Sequence, residues 1–191
     1  DIAADLRCLN RDFSVLRAVG HWAYEGRGVT WPALPLPVMA GVYQLRNAAG
    51  ALAVLEALHA RLPVSEAAIC KGLATAYLPG RFQRIAQAPE VILDVAHNPQ
   101  AARALADTLH AQPVPGRTIA VVGMLADKDA MGVLTALSGE IDAWWICTPA
   151  SPRARDAAEL AAILRPHAGS APFRVEPDVT LALAKARSTA H

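Results

Sequence analysis

The stretch EVILDVAHNPQAARALADTLHA, residues 90–111, joins an apolar run of strand length to a segment whose apolar residues recur at helical spacing. The same order recurs three times further on: RTIAVVGML before KDAMGVLTALSG, DAWWICTP before ARDAAELAAILRPH, and FRVEP before DVTLALAKARSTA. Four alternations of strand, loop and helix predict a parallel α/β sheet with helices on its faces. Trp144 and Trp145 lie inside the third strand pattern, so we expect them in the core.

The preceding residues follow other patterns. DFSVLRAVGHWAYEGRGVTW, residues 12–31, alternates apolar and polar residues around glycines, which predicts a small antiparallel hairpin. After the Pro-rich WPALPLP, residues 43–62 and 65–76 show helical spacing, and Ser65 is placed to cap the second of these helices. The N-terminal part therefore begins with strands and ends with helices.

A boundary is expected at Pro79 and Gly80, which interrupt the helical pattern before the first strand of the alternation. It divides the sequence into residues 1–77 and residues 78–191. The opening DIAADLRCLN has no initiator methionine and reads as the middle of a helix, and the closing KARSTAH stops within a helical pattern. Both ends therefore look truncated.

Composition excludes several classes of protein. The 191 residues are 53% hydrophobic, and 18 Lys and Arg balance 17 Asp and Glu, with no basic run of the kind that tracks nucleic acid. Three widely spaced cysteines, Cys8, Cys70 and Cys147, favour neither a disulfide framework nor a zinc site. No apolar run approaches the roughly 20 residues of a membrane span. We expect a cytoplasmic protein that binds neither nucleic acid nor membrane.

Polar residues gather where the predicted strands end. Ligands of open parallel sheets bind outside the carboxyl ends of the strands, where the loops that lead into the helices lie side by side. We therefore expect the polar residues of three such loops at one edge of the domain. They are Asp94, His97 and Asn98; Asp127, Lys128 and Asp129; and Thr148, Ser151 and Arg153.

Each of these residues also has a purely structural interpretation. Asn98 followed by proline is a good helix cap. Asp94 could accept from a backbone N–H or pair with Lys128, although the end of a strand also suits a bond to a ribose hydroxyl. His97 could be satisfied by a carbonyl group. Lys128 lies between two aspartates and could belong to a self-neutralising loop.

Arg81, in the segment YLPGRFQ, has two interpretations of the same kind. As a surface residue it could form an ion pair with Glu90. As a functional residue it would offer a permanent charge and a bidentate fork to an anion.

Taken in order, four motifs resemble one family. LPLPVMAGVYQLRNAAGAL, LPGRFQ, VILDVAHNP and GMLADKD are similar to segments of the bacterial folylpolyglutamate synthase and dihydrofolate synthase enzymes, within the wider group of ATP-dependent Mur-type amide ligases. The resemblance runs along nearly the whole chain. The combination and spacing of the motifs are specific, whereas any one of them alone is not.

The resemblance implies a fold and a reaction. In that family ATP phosphorylates a carboxylate of a pteroate or folate, and the amine of L-glutamate displaces the phosphate to form an amide. The nucleotide lies between a central ATPase domain and a C-terminal Rossmann-like domain. Residues 1–77 would then be the strand-and-helix tail of the truncated α/β ATPase domain, and residues 78–191 most of the Rossmann-like domain with its mostly parallel sheet. The implied partners are ATP with Mg²⁺, L-glutamate and a pteroate or folate, bound by a monomer.

The resemblance also implies roles for five residues. Arg81 matches a linker arginine that reaches the phosphates, and Asp94 matches a residue that contacts the ribose. Asn47 matches an asparagine that faces the adenine. His97 matches a residue at the glutamate and phosphate side, and Lys128 would orient the cleft or the acidic substrate. Arg81, His97 and Lys128 are thus the candidate catalytic residues, and Asn47, Arg81 and Asp94 the candidate nucleotide-binding residues.

Departures from the family pattern leave two alternatives open. The sequence contains no GxxxxGK[ST] loop to cradle a triphosphate, and none of its residues is assigned to a metal; the Mg²⁺ ligands are expected upstream. We therefore expect residues 1–191 alone to be inactive as a ligase. A muramoyl-peptide ligase or a non-catalytic nucleotide-binding module also fits parts of the pattern, but no GxGxxG follows a predicted strand, so a dinucleotide site is not expected.

Overall fold

The computed structural model describes residues 4–41 and 43–190, and the chain divides into two compact units, residues 1–81 and 82–191. The first unit holds β1 (Ser14–Arg17), β2 (His21–Glu25), β3 (Thr30–Pro35), α1 (Gln44–Ala57) and α2 (Glu66–Thr75). The second unit holds β4 (Gln83–Gln87), β5 (Glu90–Leu93), α3 (Pro99–His110), β6 (Ile119–Val122), α4 (Ala130–Leu137), β7 (Ala143–Cys147), α5 (Ala157–Leu164), β8 (Phe173–Glu176) and α6 (Val179–Thr189). A short 3-10 turn, Ser138–Glu140, follows α4. No helix among the described residues is both long and apolar enough to cross a membrane.

The first unit contains an antiparallel sheet in the order β1-β2-β3. The predicted hairpin is confirmed as β1 and β2, and β3 adds a third strand that the sequence did not predict. Pro32 and Pro35 argue against a strand because proline cannot donate to a ladder. They are tolerated here because β3 lies at the edge of the sheet, where proline is found. The core of this unit packs Trp22, Tyr24 and Leu34 against α1 and α2.

The Glu56 carboxylate organises the first unit from the last turn of α1. It accepts hydrogen bonds from the Tyr24 hydroxyl at 2.9 Å, from the Gly28 N–H at 2.6 Å and from Arg7 Nη1 at 3.3 Å. Burial, followed by the bond to this carboxylate, raises the pKa of Tyr24. The helical reading of residues 1–10 is wrong for its described part, residues 4–10, which form no helix. Arg7 instead ties this segment to α1, and residues 1–3 lie outside the described residues.

The second unit is built on a parallel sheet in the order β6-β7-β8. Alternate residues of β7 enter different cores: Trp144 and Ile146 pack with α4 and α5, whereas Trp145 and Cys147 pack with α6. Helices cover both faces of the sheet, so the central strand is buried on both sides. The α/β class and the core positions of the two tryptophans are confirmed.

The first of the four predicted parallel strands pairs differently. Among the described residues, β5 pairs antiparallel with β4 rather than joining the parallel sheet. Only Ala88 and Pro89, joined by a cis peptide bond, separate the two strands, and so short a connection suits antiparallel pairing. The parallel sheet of the second unit therefore has three strands where the alternation predicted four.

Candidate functional site

The loops that follow β6 and β7 are joined to each other. Leu125 and Ala154 form an isolated antiparallel bridge, and the Ala126 N–H donates to the Arg153 carbonyl oxygen at 2.9 Å. Both loops leave the carboxyl ends of neighbouring parallel strands. The second and third predicted sets of polar residues thus lie on one edge of the sheet.

The first turns of α3 and α4 are in close contact. Asn98 caps α3 by accepting from the Ala101 N–H at 2.8 Å, and Asp129 caps α4 by accepting from the Gly132 N–H at 2.9 Å. A Cβ built on Gly132 would lie 2.5 Å from Cγ of Pro99, so only glycine allows this approach. The structural interpretation of Asn98 is confirmed. The loop that carries His97 leads into α3, whose first turn contacts the first turn of α4.

Asp94 and His97 lie in the irregular loop between β5 and α3. Asp94 is half-buried; its Oδ1 accepts from the Ala96 N–H at 2.8 Å and its Oδ2 from the Phe82 N–H at 2.9 Å. Each carboxylate oxygen keeps a further lone pair that can accept from a ligand hydroxyl. His97 is exposed, and its Nδ1 lies 2.9 Å from the Val95 carbonyl oxygen. Donation from Nδ1 to that oxygen leaves Nε2 free to accept from, or when protonated to donate to, a ligand.

Lys128 is half-buried beside Asp127. Its Nζ lies 2.9 Å from Oδ2 of Asp127, and this hydrogen bond lowers the pKa of the aspartate. Arg153 approaches the other oxygen of Asp127 at 3.9 Å. The loop therefore neutralises part of its own charge, as the structural interpretation of Lys128 supposed, although the lysine ammonium group keeps further donors.

Arg155 is the site residue that the sequence analysis did not consider. Its guanidinium Nη2 donates to the carbonyl oxygens of Ala126, at 2.5 Å, and Lys128, at 3.4 Å, while Nη1 pairs with Glu159. The side chain is 14% exposed. Arg155 thus holds the backbone of the loop that presents Lys128. Its place two residues beyond Arg153 gives no local signal, because the loop it contacts is distant in sequence.

The other two candidate residues belong to the first unit. Asn47 lies exposed in the first turn of α1, where its Nδ2 donates to Oε1 of Gln44 at 3.2 Å. Arg81 is exposed at the end of the unit. The sequence left open an ion pair between Arg81 and Glu90. In the structure Glu90 pairs with Arg84 instead.

Cys147 ends β7 at the same edge but is unsuited to nucleophilic chemistry. Burial raises the pKa of its thiol, and its Sγ lies 3.5 Å from the Val122 carbonyl oxygen. A buried, protonated thiol packs as a small apolar side chain. No group of three or more metal-ligating side chains that could hold an ion occurs in residues 4–41 and 43–190.

Comparison with known families identifies the second unit. Residues 80–191 match the model of the Mur ligase, glutamate ligase domain. The chain therefore belongs to the family of Mur ligase glutamate ligase domains, and the resemblance carried by its motifs is confirmed.

Curated relatives in this family are folate enzymes. The chain is 45% identical over 139 residues to the dihydrofolate synthase/folylpolyglutamate synthase of Escherichia coli K12, covering 73% of this chain and 32% of that protein. It is 37% identical over 158 residues to the protein of the same name from Mycobacterium tuberculosis, covering 78% of this chain and 32% of that protein. The chain thus spans about a third of the length of these relatives.

Solved structures share the fold over almost the whole chain. Escherichia coli FolC in complex with DHPP and ADP superposes with a TM-score of 0.83 at 37% identity, covering 95% of this chain and 41% of that chain. Mycobacterium tuberculosis folylpolyglutamate synthase complexed with ADP and AMPPCP gives a TM-score of 0.84 at 34% identity, covering 94% and 41%. A bifunctional folylpolyglutamate synthase/dihydrofolate synthase with Mn, AMPPNP and L-glutamate bound gives 0.81 at 40% identity, covering 95% and 41%.

Proposed function

We propose that this chain supplies the glutamate ligase domain, and part of the nucleotide site, of an ATP-dependent ligase that adds L-glutamate to dihydropteroate, to folylpolyglutamates, or to both. The reaction proceeds through an acyl phosphate, which the amine of glutamate attacks. The observation that carries this proposal is the agreement in sequence and fold, over 95% of the chain, with an enzyme solved with ADP and DHPP.

In this proposal the second unit binds the ribose and the acidic substrate. Asp94 accepts from a ribose hydroxyl with the lone pairs that its two backbone bonds leave free. His97 presents Nε2 to the phosphate and glutamate side. Lys128 orients the acidic substrate, with its backbone held by Arg155. The contact between the first turns of α3 and α4 supports a shared site for these loops.

Residues 1–77 are proposed to be the tail of the central ATP-binding domain, and residues 78–191 the Rossmann-like ligase domain. Asn47, exposed near the start of α1, offers an amide that can both donate to and accept from the adenine ring. Arg81 is proposed to reach the phosphates, where its fork stabilises charge that accumulates during phosphoryl transfer.

Magnesium, bound with the nucleotide, would supply charge neutralisation at the phosphates. No residue of this chain is assigned to it. A monomer located in the cytoplasm is proposed, and the three cysteines, all free, are compatible with a reducing compartment.

A hybrid enzyme tests the proposal. This chain would replace the part of the Escherichia coli dihydrofolate synthase/folylpolyglutamate synthase that it matches, and phosphate release would be followed with ATP, Mg²⁺, L-glutamate and either dihydropteroate or tetrahydrofolate. Glutamate-dependent turnover with a folate acceptor is expected. A folded hybrid that releases no phosphate in a glutamate-dependent way with either acceptor would contradict the proposal.

A further inference from the structure

The backbone of Phe82, the residue that follows Arg81, has an unusual conformation. Phe82 has φ of 44°, a left-handed value that is uncommon for any residue with a side chain and rarer for a bulky one. Its ring is 6% exposed, so burial anchors the side chain. A strained backbone of this kind persists only where its surroundings hold it.

The Asp94 carboxylate is the group that holds the Phe82 backbone. Its Oδ2 accepts from the Phe82 N–H at 2.9 Å, across 12 residues of sequence, while Oδ1 accepts from the Ala96 N–H. The Phe82 N–H belongs to the peptide bond that links Arg81 to Phe82. The same carboxylate thus holds both its own loop, through the Ala96 N–H, and the peptide bond that follows Arg81.

We propose that Asp94 is a positioning residue for Arg81: by holding the Phe82 N–H it fixes the peptide bond that follows the arginine, and so the direction in which the arginine side chain points toward its anion. This inference rests on the proposed function for the anion, which is a polyphosphate. Asp94 would then have two roles. One is the proposed contact with the ribose, and the other acts through the Phe82 backbone and does not depend on a bound ribose.

The chain contains a matched control for the backbone hold. Asp142 Oδ2 accepts from the Thr118 N–H at 2.8 Å, and Thr118 follows Arg117 just as Phe82 follows Arg81. Each arginine precedes a peptide bond that trypsin can cut and whose N–H an aspartate holds. Asp94→Ala and Asp142→Ala therefore remove the same kind of bond at two separate places.

The first experiment measures tryptic cleavage at each arginine by mass spectrometry, together with hydrogen exchange of the Phe82 amide, on folded chains. Asp94→Ala is expected to speed cleavage after Arg81 and exchange at Phe82 by about tenfold or more, the effect of losing a charge-assisted hydrogen bond. Cleavage after Arg117 should stay unchanged, and Asp142→Ala should give the reverse pattern. Unchanged exchange at Phe82 in Asp94→Ala would overturn the inference.

The second experiment uses inorganic tripolyphosphate, which has no ribose, in an NMR titration. Removing the negative charge of Asp94 removes its repulsion of an anion, which by itself would tighten binding. Loss of the positioning of Arg81 would instead weaken binding. Asp94→Ala is therefore expected to weaken tripolyphosphate binding several-fold, and to add nothing in an Arg81→Ala background. Binding that is unchanged or tighter would overturn the positioning role. The titration therefore extends to concentrations well above the roughly millimolar Kd expected for this chain. Failure of the unaltered chain to bind tripolyphosphate even there would contradict the phosphate role of Arg81, and with it the proposed function and the positioning of Arg81. The exchange result would still test the backbone bond by itself.

Discussion

The guanidinium of Arg155 donates to the carbonyl oxygen of Lys128 at 3.4 Å, and to that of Ala126 at 2.5 Å. One half-buried cation therefore holds two carbonyl groups of the loop after β6. The loop that carries a candidate substrate contact is thus held from the neighbouring loop as well as by bonds within itself, such as that from the Lys128 N–H to the Leu125 carbonyl oxygen.

Replacing Arg155 by lysine should loosen this loop. Lysine keeps the charge but loses the planar fork that reaches both carbonyls, so we expect Arg155→Lys to lower the free energy of unfolding by about 1–3 kcal/mol in urea titrations. Arg153→Lys is the control, since Arg153 is 67% exposed and should change stability by less than about 0.5 kcal/mol. Equal losses from the two substitutions would contradict the assignment.

The contact between α3 and α4 predicts a second stability effect. In Gly132→Ala the new methyl group would meet Pro99 Cγ and Asp129 Oδ2, each 2.5 Å from the built Cβ, so we expect a loss of about 1–3 kcal/mol from overpacking. Gly139→Ala serves as control because nothing lies within 4 Å of its Cβ. Thermal unfolding of the two variants measures the difference, and a neutral Gly132→Ala would show that the helices can separate at no cost.

Acid should weaken the first unit through Asp12. Hydrogen bonds from Arg11 and Arg27 hold the pKa of this carboxyl below its ordinary value of 3.8. Because the folded-state pKa is the lower one, the stabilisation is present above that ordinary value and is lost as the pH falls through the folded-state pKa. The stability difference between the unaltered chain and Asp12→Asn should therefore shrink from about pH 6 to about pH 2. A difference that stays constant in urea titrations over this range would contradict the assignment.

The 191 residues by themselves should show no ligase activity. The chain spans about a third of its curated relatives and its sequence contains no GxxxxGK[ST] loop, so Asn47, Arg81 and Asp94 would offer only a few bonds to ATP. These must overcome an association cost of roughly 4–15 kcal/mol, which predicts a Kd for ATP on the order of millimolar or weaker. Calorimetric titration and phosphate release measure both. Glutamate-dependent release that survives further purification would show that the chain needs nothing more.

Local signals in the sequence were reliable for the fold. The helix caps Ser65 and Asn98 were predicted because a capping side chain and the backbone N–H that donates to it lie within three residues of each other. Pairing was less predictable: β5 joins β4 because a two-residue connection favours it, and β3 forms despite its prolines because it lies at an edge. Both outcomes depend on neighbours that strand patterns alone do not specify.

For the site, the sequence predicted that the loops after β6 and β7 share one edge, but not what holds them. The same expectation for the loop of Asp94 and His97 rested on a parallel strand, whereas β5 lies outside the parallel sheet. Two kinds of bond hold these loops: one from Phe82 to Asp94, and two from Arg155 to the loop of Lys128. They connect residues 12 to 29 positions apart, and no spacing rule predicts such contacts. The roles of Asn47, Arg81, Asp94, His97 and Lys128 stay predictions.

Arg81 and Asn98 together test the central claim most directly, in the hybrid enzyme described above. If Arg81 stabilises charge on the transferring phosphoryl group, Arg81→Ala should lower turnover by about 10²-fold or more. Asn98→Ala should chiefly cost about 1 kcal/mol of stability, because its observed role is the cap of α3. The account predicts this separation in glutamate-dependent phosphate release measured on folded variants, and equal kinetic effects from the two substitutions would contradict it.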